Sequence, residues 1–251
     1  SPIAAFALSV IFGAILGMFN GWIISNFKLN TMLVTLGTQT FFTGLSMGLL
    51  QLKEIPSTLP AALKAFGKSY LFEVTDSAGL KSNMTTMFIF LVLLVISIYL
   101  LKFTTFGEKL YMIGTNKKAA KFSSINVHGM LATTYLLSAL YATIGILIMV
   151  STMGSAKADY GISYTTRAIL ILVLAGCTPN GGEGKIGNIL LSIVTVQIIA
   201  TGINLFPQLN TYYSSLIWGG MLIVVLIMST QVGSGKKAKK VKAKKAPEKV
   251  A

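Results

Sequence analysis

Seven apolar stretches, separated by short polar or glycine-rich breaks, fill the sequence from residue 3 to residue 228. They cover 3–25, 31–50, 84–101, 131–153, 164–176, 186–206 and 212–228. A helix of about 20 apolar residues crosses the hydrocarbon core of a bilayer. In lipid every backbone group must be paired within the protein, and a helix does this inside one segment. The pattern predicts an all-α, polytopic membrane protein with about seven transmembrane helices. Composition agrees, since 53% of residues are hydrophobic and only 11% charged, too much apolar surface for one soluble core. The fifth stretch, 164–176, is short and either crosses fully or re-enters.

The formal net charge of +14 is unevenly placed. Eight lysines lie in the last sixteen residues. Lys102, Lys109, Lys117, Lys118 and Lys121 cluster around a polar island at 103–129, against the single acid Glu108. This is the distribution of cytoplasmic loops and tails, not of a nucleic-acid face. No nucleic acid is expected as a partner, and the tail lysines suit anionic lipid headgroups. Residues 1–230 read as the transmembrane domain and 231–251 as a disordered basic tail. Island and tail are both assigned to the cytoplasm, and the four spans between them allow it. The connection 51–83 is then extracytoplasmic. It holds Pro56, Pro60 and the run ALKAFGKSYLF, either an interfacial helix or a lid. Ser1 falls outside, directly before a span, which fits an odd number of further helices upstream.

Several chemistries are disfavoured. Cys177 is the only cysteine and His128 the only histidine, so no disulfide framework, histidine metal cluster or hydrolytic triad is expected. No catalytic or metal-binding residue is assigned. The glycine-rich AGCTPNGGEGKIGN at 175–188 lacks the GxxxxGK[ST] spacing of a phosphate loop and reads as a tight cytoplasmic turn. No Asp or Glu falls in any apolar stretch, which argues against an ion-coupled transporter. A membrane-embedded enzyme lacks an acid, base and nucleophile set.

Gly13, Gly17 and Gly21 recur every four residues in the first stretch, and Gly37, Gly44 and Gly48 lie in the second. Such small-residue stripes let helices pack closely in lipid. Candidates for a translocation pathway are the polar residues on apolar segments: Asn20, Thr35, Thr38, Gln39, Gln197 and Asn204. Each either faces a pathway or hydrogen-bonds a neighbouring helix. Gln197 and Asn204 are seven apart and share a helical face. Arg167, the only arginine, joins this set. At mid-membrane it would cost roughly 2.5–3.5 kcal/mol, so it faces a cavity, a partner or the headgroups. Within the island, 116–125 is predicted as a short helix capped by Asn116, with Ala119 and Ala120 inside.

The island resembles the cytoplasmic loop of permease subunits of bacterial ATP-binding-cassette importers, in the ribose, galactose, xylose and autoinducer group. The family pattern T-x-F-G-x-x-x-Y-x-I-G-x-N-x-x-A-A-x-x-S-G-I is met by Thr104 or Thr105, Phe106, Gly107, Tyr111, Ile113, Gly114, Asn116, Ala119, Ala120, Ser123 and Ile125. Ser124 stands where the family has glycine. Asn20-Gly21 with Val34-Thr35-Leu36-Gly37-Thr38 is similar to a second family passage. Ala175 to Thr178 with Gly181, Gly182, Gly184 and Gly187 is similar to a third. There Ala175 replaces a glycine, and Arg167 lies where an acid is frequent. The resemblance implies a ten-helix fold with three helices upstream of this chain, in the bacterial cytoplasmic (inner) membrane with a cytoplasmic C-terminus. It implies a pathway for a monosaccharide, related permeases carrying nucleosides or branched-chain amino acids. It implies as partners a second permease subunit, alike or paralogous, two cytoplasmic ATPases and an extracytoplasmic substrate-binding protein. ATP and magnesium would sit on the ATPase, with no cofactor on this chain. The ATPase would be engaged through Gly107, Gly114, Asn116, Ala119, Ala120, Ser123 and Ile125.

Overall fold

The computed structural model describes residues 2–27, 29–50, 73–75, 81–83, 85–158, 161–177, 181–182, 184–205, 213 and 216–229. The basic tail, the 62–72 run and Pro56 and Pro60 lie outside them. The chain forms two compact units, Ser1–Tyr160 and Gly161–Ala251.

In the first unit, α1 (Pro2–Phe27) is followed by α2 (Thr31–Leu50). Next come two short strands, β1 (Glu73–Thr75) and β2 (Lys81–Asn83). They pair antiparallel, with Val74 opposite Ser82. This ribbon, in a connection where no strand was expected, is the one departure from helix among the described elements. Then come α3 (Thr85–Lys102), α4 (Thr105–Thr115), α5 (Lys117–Phe122) and α6 (Val127–Met153).

The glycine stripe of α1 is a contact seam. Gly13 faces the Thr143 side chain, Gly17 faces Ala139 and the Tyr135 carbonyl, and Gly21 faces Ala132 and Tyr135. As numbers rise along α1 they fall along α6, so the two helices are antiparallel. A Cβ on Gly17 would lie 2.8 Å from the Tyr135 oxygen, and one on Gly21 would lie 2.8 Å from Ala132 Cα. Only glycine allows this approach, because the clash is with backbone that cannot swing away. The matching stripe on α2 behaves differently: Gly37, Gly44 and Gly48 have nothing within 4 Å of an added Cβ.

The second unit holds α7 (Ile162–Leu174), α8 (Ile186–Asn204) and the apolar helix Leu216–Ser229, named α9. Leu170, Val196, Ala200 and Trp218 form its buried centre, flanked by Ile171, Ile199, Ile203, Met221, Leu222 and Val225. Asn188 Nδ2, at the start of α8, donates to the Ala175 carbonyl at the end of α7 (3.3 Å). Ala200, late in α8, packs in the same cluster as Leu170 in mid-α7. The two helices therefore run antiparallel.

Seven helices thus stand where seven apolar stretches were read, but among the described residues only four are long and apolar enough to cross a membrane. These are Ile3–Phe27, Thr85–Lys102, Val127–Met153 and Ile186–Ile203. Helix α2 has the length, but its threonines and Gln39 lower its apolarity. Helix α7 has 13 residues, roughly 20 Å at 1.5 Å per residue, against about 30 Å of hydrocarbon.

Gly17→Leu places side-chain atoms inside the Tyr135 and Ala139 contact and should destabilise the first unit by about 1–3 kcal/mol. Gly37→Ala, facing open space, should be neutral or stabilising. Thermal unfolding of the two variants in detergent measures the contrast, and equal melting points would refute the seam.

Candidate functional site

The polar island folds as a helical corner rather than as a loop with one short helix. Its entry is closed by main-chain and hydroxyl bonds: Phe103 N donates to Tyr99 O (2.9 Å) and Thr104 Oγ1 to Leu100 O (2.5 Å). Gly107 lies buried against the end of α3, where a Cβ would come within 2.6 Å of the Leu101 carbonyl carbon. Its small size is what lets α4 fold back on α3. Helix α4 buries Gly107 and Ile113, six residues apart, and exposes Glu108, Lys109, Tyr111 and Met112. This amphipathic helix was not anticipated, because its apolar positions are few and interleaved with polar ones.

Asn116 joins α4 to α5. It is extended (φ −155, ψ 102), and its backbone N–H donates to Met112 O (3.0 Å), ending α4. Its side-chain Oδ1 accepts from Lys118 N (3.0 Å) and Ala119 N (3.1 Å), starting α5. Its carbonyl accepts from Ala120 N (3.0 Å). One residue thus satisfies free ends of two helices, and asparagine is among the best residues for the second task.

Helix α5 ends at Phe122, three residues short of the expected 125. Ile125 N donates to Ala120 O (3.2 Å) and Ser124 N to Lys121 O (3.2 Å). This is the paired six-to-one and five-to-two bonding of a Schellman termination, which needs a left-handed residue at the first position beyond the cap. That residue is Ser124, with φ 59, the sole non-glycine at positive φ among the described residues. The position where this sequence departs from the family pattern is therefore the one where the backbone favours glycine. Asn126 then caps α6, its Oδ1 accepting from Gly129 N (3.0 Å). Helix α6 consequently begins at Val127, inside the island and before the expected 131.

The residues carried over by resemblance divide between two faces. Gly107, Ile113 and Ala120 are buried, Ala120 being only 1% exposed. Ala120 is thus a packing residue rather than part of the outer face. Gly114 and Ile125 are half-buried, while Asn116, Ala119 and Ser123 are exposed. Lys117, Lys118, Lys121 and Phe122 share that exposure. Phe122 is 91% exposed, the highest value among the large hydrophobics described. It was missed because an exposed aromatic cannot be told from a buried one on a six-residue helix.

The pathway candidates are divided between the units: Asn20, Thr35, Thr38 and Gln39 belong to the first, Arg167, Gln197 and Asn204 to the second. Asn20 is half-buried on α1, and its Oδ1 is buried without a partner. Thr35 and Thr38 donate to their own helix, to Thr31 O (3.0 Å) and Val34 O (3.0 Å). Such back-bonding satisfies a hydroxyl in lipid without a second helix. Gln39 is half-buried and Gln197 exposed; Asn204 ends α8.

Arg167 lies in the second unit, its guanidinium carbon 4.8 Å from the Trp218 ring centre and 5.4 Å from that of Tyr164. Each such contact contributes about 0.5–2 kcal/mol. The glycine-rich turn follows α7. Gly176 (φ 77) closes another Schellman termination, with Cys177 N on Leu172 O (3.0 Å) and Gly176 N on Val173 O (3.0 Å). Burial raises the pKa of the Cys177 thiol, whose sulfur would sit 2.8 Å from a Cβ on Gly184. Among the described residues no group of His, Cys, Asp and Glu could hold a metal.

Comparison with known proteins gives concordant matches. The family described as branched-chain amino acid transport system / permease component matches residues 1–226. The autoinducer 2 import system permease protein LsrD of Escherichia coli (strain K12) is 30% identical over 224 residues, covering 89% of this chain and 66% of the relative. The LsrD proteins of Shigella flexneri and Escherichia coli O157:H7 show the same identity and coverage. The chain thus spans 66% of the length of these relatives. No solved structure matches it significantly.

Ser124→Gly should stabilise the corner by about 1 kcal/mol, by removing the left-handed penalty of an L-residue. Asn116→Ala should cost about 0.5–2 kcal/mol through loss of the cap. Amide hydrogen exchange across 105–130 reads both, as slower and faster exchange respectively. A Ser124→Gly protein with faster exchange would contradict the assigned termination.

Proposed function

The chain belongs to the branched-chain amino acid transport system / permease component family, and on that premise we propose that it is a transmembrane subunit of an ATP-driven importer. It lines a translocation pathway and performs no chemistry of its own, with ATP and magnesium held by a separate cytoplasmic ATPase. A second permease subunit and an extracytoplasmic substrate-binding protein complete the assembly. The α4–α5 corner faces the cytoplasm and is the contact with the ATPase.

The observation that carries this reading is Phe122. Most exposed apolar side chains of this protein sit on helices that lipid would cover. Phe122 instead projects from a polar island, with Lys117, Lys118 and Lys121 exposed around it. An aromatic in that setting suits an apolar pocket with an acidic rim on a protein partner. The supporting helix is held at both ends, by Asn116 and by the Ser124 termination, and from beneath by buried Ala120 and Ile113. A handle so fixed moves as one body with α4 and α6 when its partner moves. The contact face is therefore Lys117, Lys118, Ala119, Lys121 and Phe122, with Asn116 and Ser123 at its edges.

A monosaccharide such as ribose, galactose or xylose is the proposed cargo, supported by the island motif and by similarity to autoinducer 2 import permeases. The family description favours a second reading, a branched-chain amino acid. Uptake of labelled ribose and of labelled leucine by the reconstituted importer separates the two.

Phe122→Ala should weaken ATPase attachment by roughly 2 kcal/mol or more, as expected for a central aromatic anchor. Ala119→Glu should weaken it through repulsion at an acidic rim. Both should lower ATPase co-purification and uptake while leaving the melting temperature of the permease unchanged. Unaltered assembly and uptake in both variants would sink the coupling role.

A further inference from the structure

Among the described residues of the second unit, two buried N–H donors have nothing to donate to. Trp218 is 5% exposed, and its Nε1 has no hydrogen-bond partner. Arg167 Nε is buried and equally without a partner. The two belong to one cluster, since the Arg167 guanidinium lies 4.8 Å from the Trp218 ring centre. Both groups are donors only, so neither can satisfy the other. A buried donor left unpaired is costly, and native structures rarely leave one without a protein, water or ligand acceptor. The cluster also carries a full positive charge. No acidic side chain of α7, α8 or α9 faces it, because none of these helices contains Asp or Glu.

We infer that Arg167 and Trp218, with Tyr164 beside them, form a binding site for a phosphate-type oxyanion. The chemistry selects this class. An oxyanion supplies several acceptor oxygens at once and balances the guanidinium charge, which a neutral hydroxyl does not. The Trp218 and Tyr164 rings, 4.8 and 5.4 Å from the guanidinium carbon, flank the cation without taking up its Nε–H, and a guanidinium is suited to a forked contact with an oxyanion. Arg167 lies in the second turn of α7, and Trp218 lies on α9. The aromatic flanks and the open Tyr164 side suit a group that arrives from the membrane surface. A lipid phosphodiester and a soluble phosphate present the same oxygens, so experiment must separate the two sources. The site lies wholly within the second unit and does not depend on the importer reading.

The protein has two tryptophans, Trp22 and Trp218, so a Trp22→Phe background makes Trp218 the sole indole reporter. The full chain in an uncharged detergent is titrated with dihexanoyl phosphatidylglycerol in one arm and sodium phosphate in the other. Monogalactosyl diacylglycerol is the control without phosphate. A saturable change in Trp218 emission is expected in at least one arm and none with the galactolipid. Response to the lipid alone assigns a headgroup, and response to inorganic phosphate assigns a soluble oxyanion. Arg167→Lys keeps the charge but loses the fork and should weaken the apparent Kd about tenfold. Arg167→Gln should abolish the response. No response in either arm, an equal response to the galactolipid, or an unchanged Kd in Arg167→Lys would overturn the site. If Arg167→Gln fails to fold by circular dichroism, the lysine variant decides.

Discussion

The backbone contact between α1 and α6 is the constraint on which the first unit rests. Within lipid, apolar side chains gain little by leaving one hydrocarbon environment for another, so helices associate through close packing and hydrogen bonds. Gly13, Gly17 and Gly21 supply that closeness, meeting a row formed by Ala132, Tyr135, Ala139 and Thr143. The row recurs at three- and four-residue intervals, which keeps it on one face of α6. Thr143 Oγ1 is bonded to Ala139 O (2.8 Å), so the seam carries no loose hydroxyl there. The same helix α6 then extends without a break to the polar corner, through the cap at Asn126.

That continuity gives the corner its mechanical character. From Thr104 to Met130 the main chain changes direction at two places, Asn116 and the 123–126 turn, and each is closed by several hydrogen bonds. Gly107 brings α4 against the last turn of α3, so the corner is tied to two long helices. Any displacement of α5 would thereby be shared with α3 and α6 instead of being absorbed by a loose loop. The single strained point is Ser124, left-handed at a position where glycine is relaxed. The second unit uses a different device. Its centre is built on Trp218, which packs with Leu170, Val196 and Ala200 and offers its ring to Arg167. The aromatic ring lets a cation sit beside an apolar core without a carboxylate partner, and the Arg167 Nε–H there has no acceptor.

Legibility in the sequence followed the length of the physical signal. Helices α1, α2, α3 and α8 lie within two residues of the apolar stretches that announced them. Asn116 was readable as a cap because capping is local, needing only the residue and the two N–H groups after it. The glycine stripe of α1 was readable as a close-packing face, but an equal-looking stripe on α2 meets nothing. Spacing marks a surface able to approach a neighbour and contains no information on whether a neighbour is there. Helix α4 and the early start of α6 were not legible, since both lie in polar sequence where tertiary burial of Gly107 and Ile113, or one asparagine cap, decides the outcome.

Sequence alone determined that the chain is helical, membrane-embedded and interrupted by one basic island, because bilayer thickness, backbone pairing and lysine placement act on composition and length. It also marked Ser124 as a departure from a recurrent glycine. Only the tertiary structure decided which of Ala119 and Ala120 faces out, that Phe122 stands 91% exposed, and that Arg167 meets Trp218 across 50 intervening positions. Those outcomes depend on how helices are rotated about their axes and which of them touch. In the first unit the rotation is set by a few backbone approaches at glycine and in the second by packing around Trp218, and no one-dimensional pattern of hydrophobicity records either.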